Sequence, residues 1–65
     1  MRIQLNGQIF EFPGERIDEL IAQLALSGKR LAVERNGEVI PRSEHASCPL
    51  AEGDCIELVQ AIGGG

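Results

Sequence analysis

The sequence predicts an α+β fold, a mixed sheet of about four to five strands packed on one main helix. Three observations lead there. Two Asn-Gly pairs, Asn6-Gly7 and Asn36-Gly37, each join short stretches of strand character. Ile17, Leu20, Ile21 and Leu24 recur at the spacing of one buried helical stripe. A last apolar stretch, Cys55 to Ile62, runs directly into Gly63-Gly64-Gly65.

The opening stretch places Met1, Ile3 and Leu5 on one face and Arg2 and Gln4 on the other. Asn-Gly suits a two-residue type I′ turn, which needs φ > 0 at both positions. With that loop Leu5 faces Gln8, Ile3 faces Phe10 and Met1 faces Phe12. Arg2 then faces Glu11 on the outer side, an opposite-charge cross-strand pair. Pro13-Gly14 ends the hairpin. A helix is expected from about Arg16 to Ser27, with no good N-cap side chain at its start and Gly28 as its C′ residue. Glu15, Asp18 and Glu19 suit its N-terminal end, and Lys29-Arg30 its C-terminal end.

Leu31 to Arg35 reads as a third strand and Glu38 to Ile40 as a fourth, with Val33 facing Ile40 and Arg35 facing Glu38. Pro41 stops the fourth strand. Arg42 to Leu50 reads as irregular, with one helical turn from Ser43 to Ser47 capped by Ser43. Gly53-Asp54 is a turn. In the last strand Ile56, Leu58, Gln60 and Ile62 share one face, and Cys55, Glu57, Val59 and Ala61 the other. Both faces are partly apolar, so this strand is expected at the centre of the sheet. A right-handed crossover sets the first strand beside it and parallel to it. The result is a β-grasp, ubiquitin-like arrangement, with residues 1–62 as the folded domain and 63–65 as a flexible glycine tail.

Composition excludes several functions. A chain of 65 residues has little room for both a core and an internal catalytic cavity. The net charge of −4 has the wrong sign for a phosphate backbone, and without Trp or Tyr there is no stacking platform, so no nucleic-acid partner is expected. No apolar run reaches the ~20 residues of a membrane span, so no membrane partner is expected. The first residues alternate at once, which argues against a signal peptide. Two cysteines are too few for a secreted disulfide framework. A cytoplasmic protein with reduced thiols is expected.

The glycine run adds a chemical feature. Glycine tolerates almost any φ/ψ, and three extended residues reach roughly 10 Å. Gly63 and Gly64 therefore suit threading into a narrow channel, leaving the α-carboxylate of Gly65 as the group delivered. That group is ionised above about pH 3.3–3.7 and a poor electrophile, so it must be activated, for example as an acyl-adenylate. A frayed end is the plainer reading of the same residues.

The opening strand with Asn6-Gly7, Asp18-Glu19-Leu20-Ile21, the segment from Val33 through Asn36-Gly37-Glu38-Val39-Ile40-Pro41-Arg42, Gly53-Asp54, and Ile56 to Ile62 ending in Gly64-Gly65 form a set that spans the chain. In these the sequence resembles the ubiquitin-like sulfur carriers, and among them the ThiS-type carriers of thiamine thiazole synthesis. It departs from that pattern at Arg16, where a hydroxyl residue is usual, and at His45, where an aromatic is frequent. The resemblance implies a carrier rather than an enzyme. A ThiF-type adenylyltransferase partner would use ATP and Mg to adenylate Gly65. A sulfur donor such as a cysteine desulfurase persulfide would leave a thiocarboxylate there, for delivery to thiazole synthase. No cofactor would be bound by the carrier itself. The molybdopterin-synthase small subunit, also a sulfur carrier, and a ubiquitin-like protein modifier are the competing assignments.

The remaining reactive residues read as structural. Cys48 and Cys55 lack further ligands, so no metal site is expected. His45 has no partner placed by sequence for a catalytic triad, and the acids near the helix start read as a solvated face. Ile9, Val59 and Ala61 fall on the sheet face away from the helix, which makes them candidates for partner docking.

Overall fold

A computed structural model describes residues 1–60. The expectations for Ala61, Ile62, Gly63, Gly64 and Gly65 lie outside the described residues.

The described elements are β1 (Arg2–Leu5), β2 (Gln8–Glu11), α1 (Ile17–Gln23), β3 (Leu31–Arg35), β4 (Glu38–Ile40), a 3-10 turn (Arg42–Glu44) and β5 (Cys55–Gln60). The strands form one sheet in the order β2-β1-β5-β3-β4. This is the β-grasp arrangement: β5 is central, parallel to β1 and antiparallel to β3.

Both Asn-Gly turns have the expected backbone, with φ of 49° and 82° at Asn6 and Gly7 and 52° and 86° at Asn36 and Gly37. They fix the register. Ile3 faces Phe10 and Leu5 faces Gln8 in the first hairpin, and Val33 faces Ile40 in the second. Arg2 Nε donates to Glu11 Oε1 at 2.7 Å on the outer side. A slip of one residue would turn Ile3 and Val33 out to water, and both are fully buried. They pack with Phe12, Ile17, Leu20, Ile21, Leu50 and Ile56 as one core between sheet and helix. Gly14 is needed there for space, because a Cβ on it would lie 2.5 Å from Phe12 Cζ.

The helix start lacks a capping side chain, as expected, and is capped from elsewhere in the chain. The amides of Ile17 and Asp18 donate to the carbonyls of Cys48 and His45 at 3.1 and 3.0 Å. Glu19 Oε1 accepts from the amides of Glu15 and Arg16 at 3.2 and 3.1 Å. Arg16 carries no acceptor and contributes only its guanidinium, 3.4 Å from Asp18 and from Glu19. The segment after β4 thus satisfies amides that every helix N-terminus leaves open, and it carries Leu50 into the core.

Two expectations are corrected. The helix ends at Gln23, not Ser27, and its C′ residue is Ala25, not Gly28. Ala25 has φ +60°. Its amide donates to the Ala22 carbonyl, and the Leu26 amide to the Ile21 carbonyl, each at 3.0 Å. This is a Schellman closure built on alanine. Gly28, at φ +82°, instead serves a separate turn closed by the Lys29 amide on the Leu26 carbonyl. The helical turn near Ser43 is the 3-10 turn Arg42–Glu44, which begins after Pro41, so Ser43 lies inside it and does not cap it.

A left-handed alanine costs about 1–2 kcal/mol that glycine avoids. Ala25→Gly is therefore expected to stabilise the fold by about 0.5–1 kcal/mol after the entropy gained by the unfolded chain. Thermal unfolding should shift up by roughly 3–6 °C, and a lower midpoint would refute the assignment.

Candidate functional site

The candidate site is the end of β5 and the sheet surface around it. A buried carboxylate roots this strand. Asp54, only 7% exposed, immediately precedes β5. Its Oδ2 accepts from Arg35 Nε and from the Ala51 amide, both at 2.8 Å, and its Oδ1 accepts from Asn36 Nδ2 at 3.0 Å. Asn36 closes the loop, since its Oδ1 accepts from the Cys55 amide at 2.9 Å and its amide donates to the Cys55 carbonyl at 2.8 Å. The β3–β4 turn and the start of β5 are therefore one hydrogen-bonded unit. Burial pushes the Asp54 carboxyl up, but the hydrogen bonds from Arg35, Ala51 and Asn36, with the Arg35 charge, outweigh burial and hold it below the ordinary aspartate value.

The two neighbours of β5 accompany it unequally. The β1 ladder pairs Gln4 with Cys55 and Leu5 with Ile56. Past that point Asn6 takes over: its amide donates to the Ile56 carbonyl at 2.9 Å, and its Oδ1 accepts from the Leu58 amide at 2.8 Å. The β3 ladder continues to the pair Leu31–Gln60. The position from which residues 61–65 follow is thus held by β3.

The predicted docking residues Ile9 and Val59 lie on the sheet face away from the helix and are 69% and 62% exposed. They are not neighbours. Ile9 faces Gln4, which faces Cys55, so two strand spacings and four residues separate it from Val59, roughly 16 Å. Val59 instead faces the exposed Ala32. Val39, 67% exposed and opposite Glu34, lies on the same face. Sequence reasoning did not single it out, although the Val33–Ile40 register that it used already turns Val39 outward. Glu11 on this face is paired with Arg2, while Glu34 lies opposite Glu57 on β5 and opposite Val39 on β4, so acidic groups adjoin the apolar positions. Ala61 lies outside the described residues.

Cys48 is half-buried and Cys55 exposed, and both are free thiols. His45 Nε2 lies 3.1 Å from the Ile40 carbonyl. Among the described residues no three His, Cys, Asp or Glu side chains converge on a common point. No helix among them is long and apolar enough to cross a membrane.

The fold and the position of β5 define the class, a β-grasp domain whose central strand leads into a glycine run. Comparison with known proteins makes it specific. The ThiS family model matches residues 3–65. The sulfur carrier protein ThiS of Bacillus subtilis is 35% identical over 97% of this chain and 98% of its own length. The crystal structure of the thiamine biosynthesis protein ThiS from Geobacter metallireducens superposes with a TM-score of 0.84 at 29% identity, covering all of both chains. The thiazole synthase of Paramagnetospirillum magneticum is 35% identical over the whole of this chain, which spans only 20% of that relative. The chain belongs to the ThiS family.

Loss of the Asp54 charge should loosen the root of β5. Asp54→Asn is expected to cost about 2 kcal/mol at neutral pH, between an exposed pair and a fully buried one. Because the folded carboxyl sits below its unfolded value of about 3.9, its contribution is complete above that value and is lost as pH falls through the folded pKa. The stability gap between wild type and variant, read by urea denaturation, should therefore be flat from pH 5 to 8, to within about 0.5 kcal/mol, and close below about pH 4. A gap independent of pH down to about 2.5 would rule this out.

Proposed function

We propose that this chain is a sulfur carrier for thiamine thiazole synthesis, acted on by enzymes and not itself one. One observation carries this: the family match runs along the whole domain and through the terminal glycines, and a relative aligned over nearly its full length is a sulfur carrier protein.

The chemistry proceeds at the Gly65 carboxylate. A carboxylate oxygen attacks the α-phosphorus of Mg-ATP on a ThiF-type adenylyltransferase, and pyrophosphate leaves. The acyl-adenylate is then electrophilic at carbon. Sulfide displaces AMP and leaves a thiocarboxylate. A persulfide from a cysteine desulfurase displaces AMP to give an acyl disulfide, which two electrons from a thiol cleave to the same product. ATP and Mg belong to the partner, and the carrier holds no cofactor. Gly63 and Gly64 thread the carboxylate into the partner's channel, and the partly apolar sheet face that carries Ile9 and Val59 docks against the partner's body. Thiazole synthase as the acceptor is supported by the thiazole synthase relative, which contains a segment similar to the whole of this chain.

Intact mass after incubation with the adenylating enzyme, ATP and sulfide is the direct test. A gain equal to sulfur replacing oxygen, mapped to the C-terminal fragment, is expected. No gain with a competent enzyme, or lysine conjugates on a denaturing gel, would overturn the reading. In the same assay Gly64→Ala should fold normally, and its methyl should cost about 1–3 kcal/mol in a close-fitting channel, slowing thiolation roughly tenfold or more. Thiolation at the wild-type rate would remove the threading role. Val59→Asp should weaken binding to the adenylating enzyme by roughly tenfold without unfolding the domain, and unchanged affinity would discard the sheet face as a docking surface.

A further inference from the structure

A cavity of about 80 Å³ lies between the end of α1, the start of β3 and the 3-10 turn. Ile21, Leu26 and Leu31 form its apolar walls, and Lys29, Arg42 and His45 its polar lining. It exists because the alanine Schellman closure ends the helix early and swings Leu26 back beside Ile21.

The cations of the molecule divide sharply. Arg2, Arg16 and Arg35 each have a carboxylate partner within 4 Å. Among the described residues Lys29, Arg30 and Arg42 have none. Lys29 and Arg42 line the cavity and Arg30 follows Lys29 in the chain, whereas the sheet face carries Glu34 opposite Glu57. Of the side-chain cations without a carboxylate partner, Lys29 and Arg42 thus line one small apolar recess, while the Met1 ammonium donates to the Phe12 carbonyl away from it.

We propose that this recess is a docking pocket for a carboxylate-bearing side chain on the surface of the enzyme that adenylates Gly65. The proposal rests on the carrier reading above. The size fits: a water molecule occupies about 30 Å³, so the recess takes a carboxylate with one or two methylenes. Apolar walls suit those methylenes and exclude water from the ion pair, which strengthens it. A free inorganic anion would leave them unused. The location fits as well. Leu31 forms one wall and pairs with Gln60. From Gln60 the chain reaches Gly65 within about 17 Å. A protein that holds Gly65 in its catalytic centre therefore has its surface within reach of Lys29 and Arg42.

The test compares Lys29→Gln/Arg42→Gln with Gln8→Glu/Gln23→Glu, a variant of the same net charge altered at exposed positions outside the cavity. Binding to the adenylating enzyme is followed by calorimetry at about 0.05 and 0.5 M salt, with melting curves to verify folding. The cavity variant should bind roughly tenfold more weakly at low salt and show a flatter salt dependence, while the matched variant stays within about threefold of wild type. Equal losses in the two variants would overturn the pocket, leaving only a net-charge effect. Wild-type affinity in the cavity variant, with wild type itself adenylated, would overturn the pocket and leave the carrier reading intact. Failure of wild type to release pyrophosphate with a competent enzyme would overturn both.

Discussion

The Asp54 carboxylate is the constraint on which the rest depends. A sheet with its first and last strands side by side must close a long-range parallel contact, and such contacts carry the entropy of the intervening chain. Here the closure is fixed by a buried charge that receives donors from a β3 side chain, a turn side chain and a local amide. The Asp54 carbonyl also accepts from the Gln4 amide at 2.9 Å, so one residue touches both neighbours of β5. Burial alone would disfavour the ion, but three hydrogen bonds and one guanidinium compensate it. With β5 held centrally, Ile56 enters the core, and its outward neighbours necessarily form an exposed face.

The segment from Pro41 to Leu50 plays a comparable structural part. It has little regular structure, yet its carbonyls close the helix N-terminus, its Leu50 completes the core, and the Leu50 amide donates to the Glu15 carbonyl at 2.8 Å. The same segment lines the cavity beside Ile21 and Leu26 with Arg42 and His45. One irregular stretch thus fixes how the helix lies on the sheet and also supplies part of the cavity lining.

Much of this was legible in the sequence because independent signals agreed. At both hairpins the Asn-Gly turn and the period-two pattern specify the same register, so strand faces, the Arg2–Glu11 pair and the outward positions of Ile9 and Val59 followed. The end of the helix was not legible. Gly28 offers the usual C′ signal, while Ala25 adopts a left-handed backbone that nothing about alanine announces. The closure brings Leu26 against the core cluster. Asp54 was visible only as half of a turn, since its partners Arg35 and Asn36 lie far away in sequence. The helix cap was invisible for the same reason, because backbone carbonyls leave no mark on residue identity. Sulfur itself was never readable from physical chemistry. The family match supplied it.

The unequal flanking of β5 has a mechanical consequence. Traction applied beyond Gln60 acts along the strand axis, roughly at right angles to the hydrogen bonds that hold β5 to its neighbours. Such a load shears several bonds together instead of peeling them one by one, and forced unfolding follows the unfolding rate. A load along β5 is therefore shared between the β1 and β3 sides of the strand, the β3 side reaching as far as Gln60.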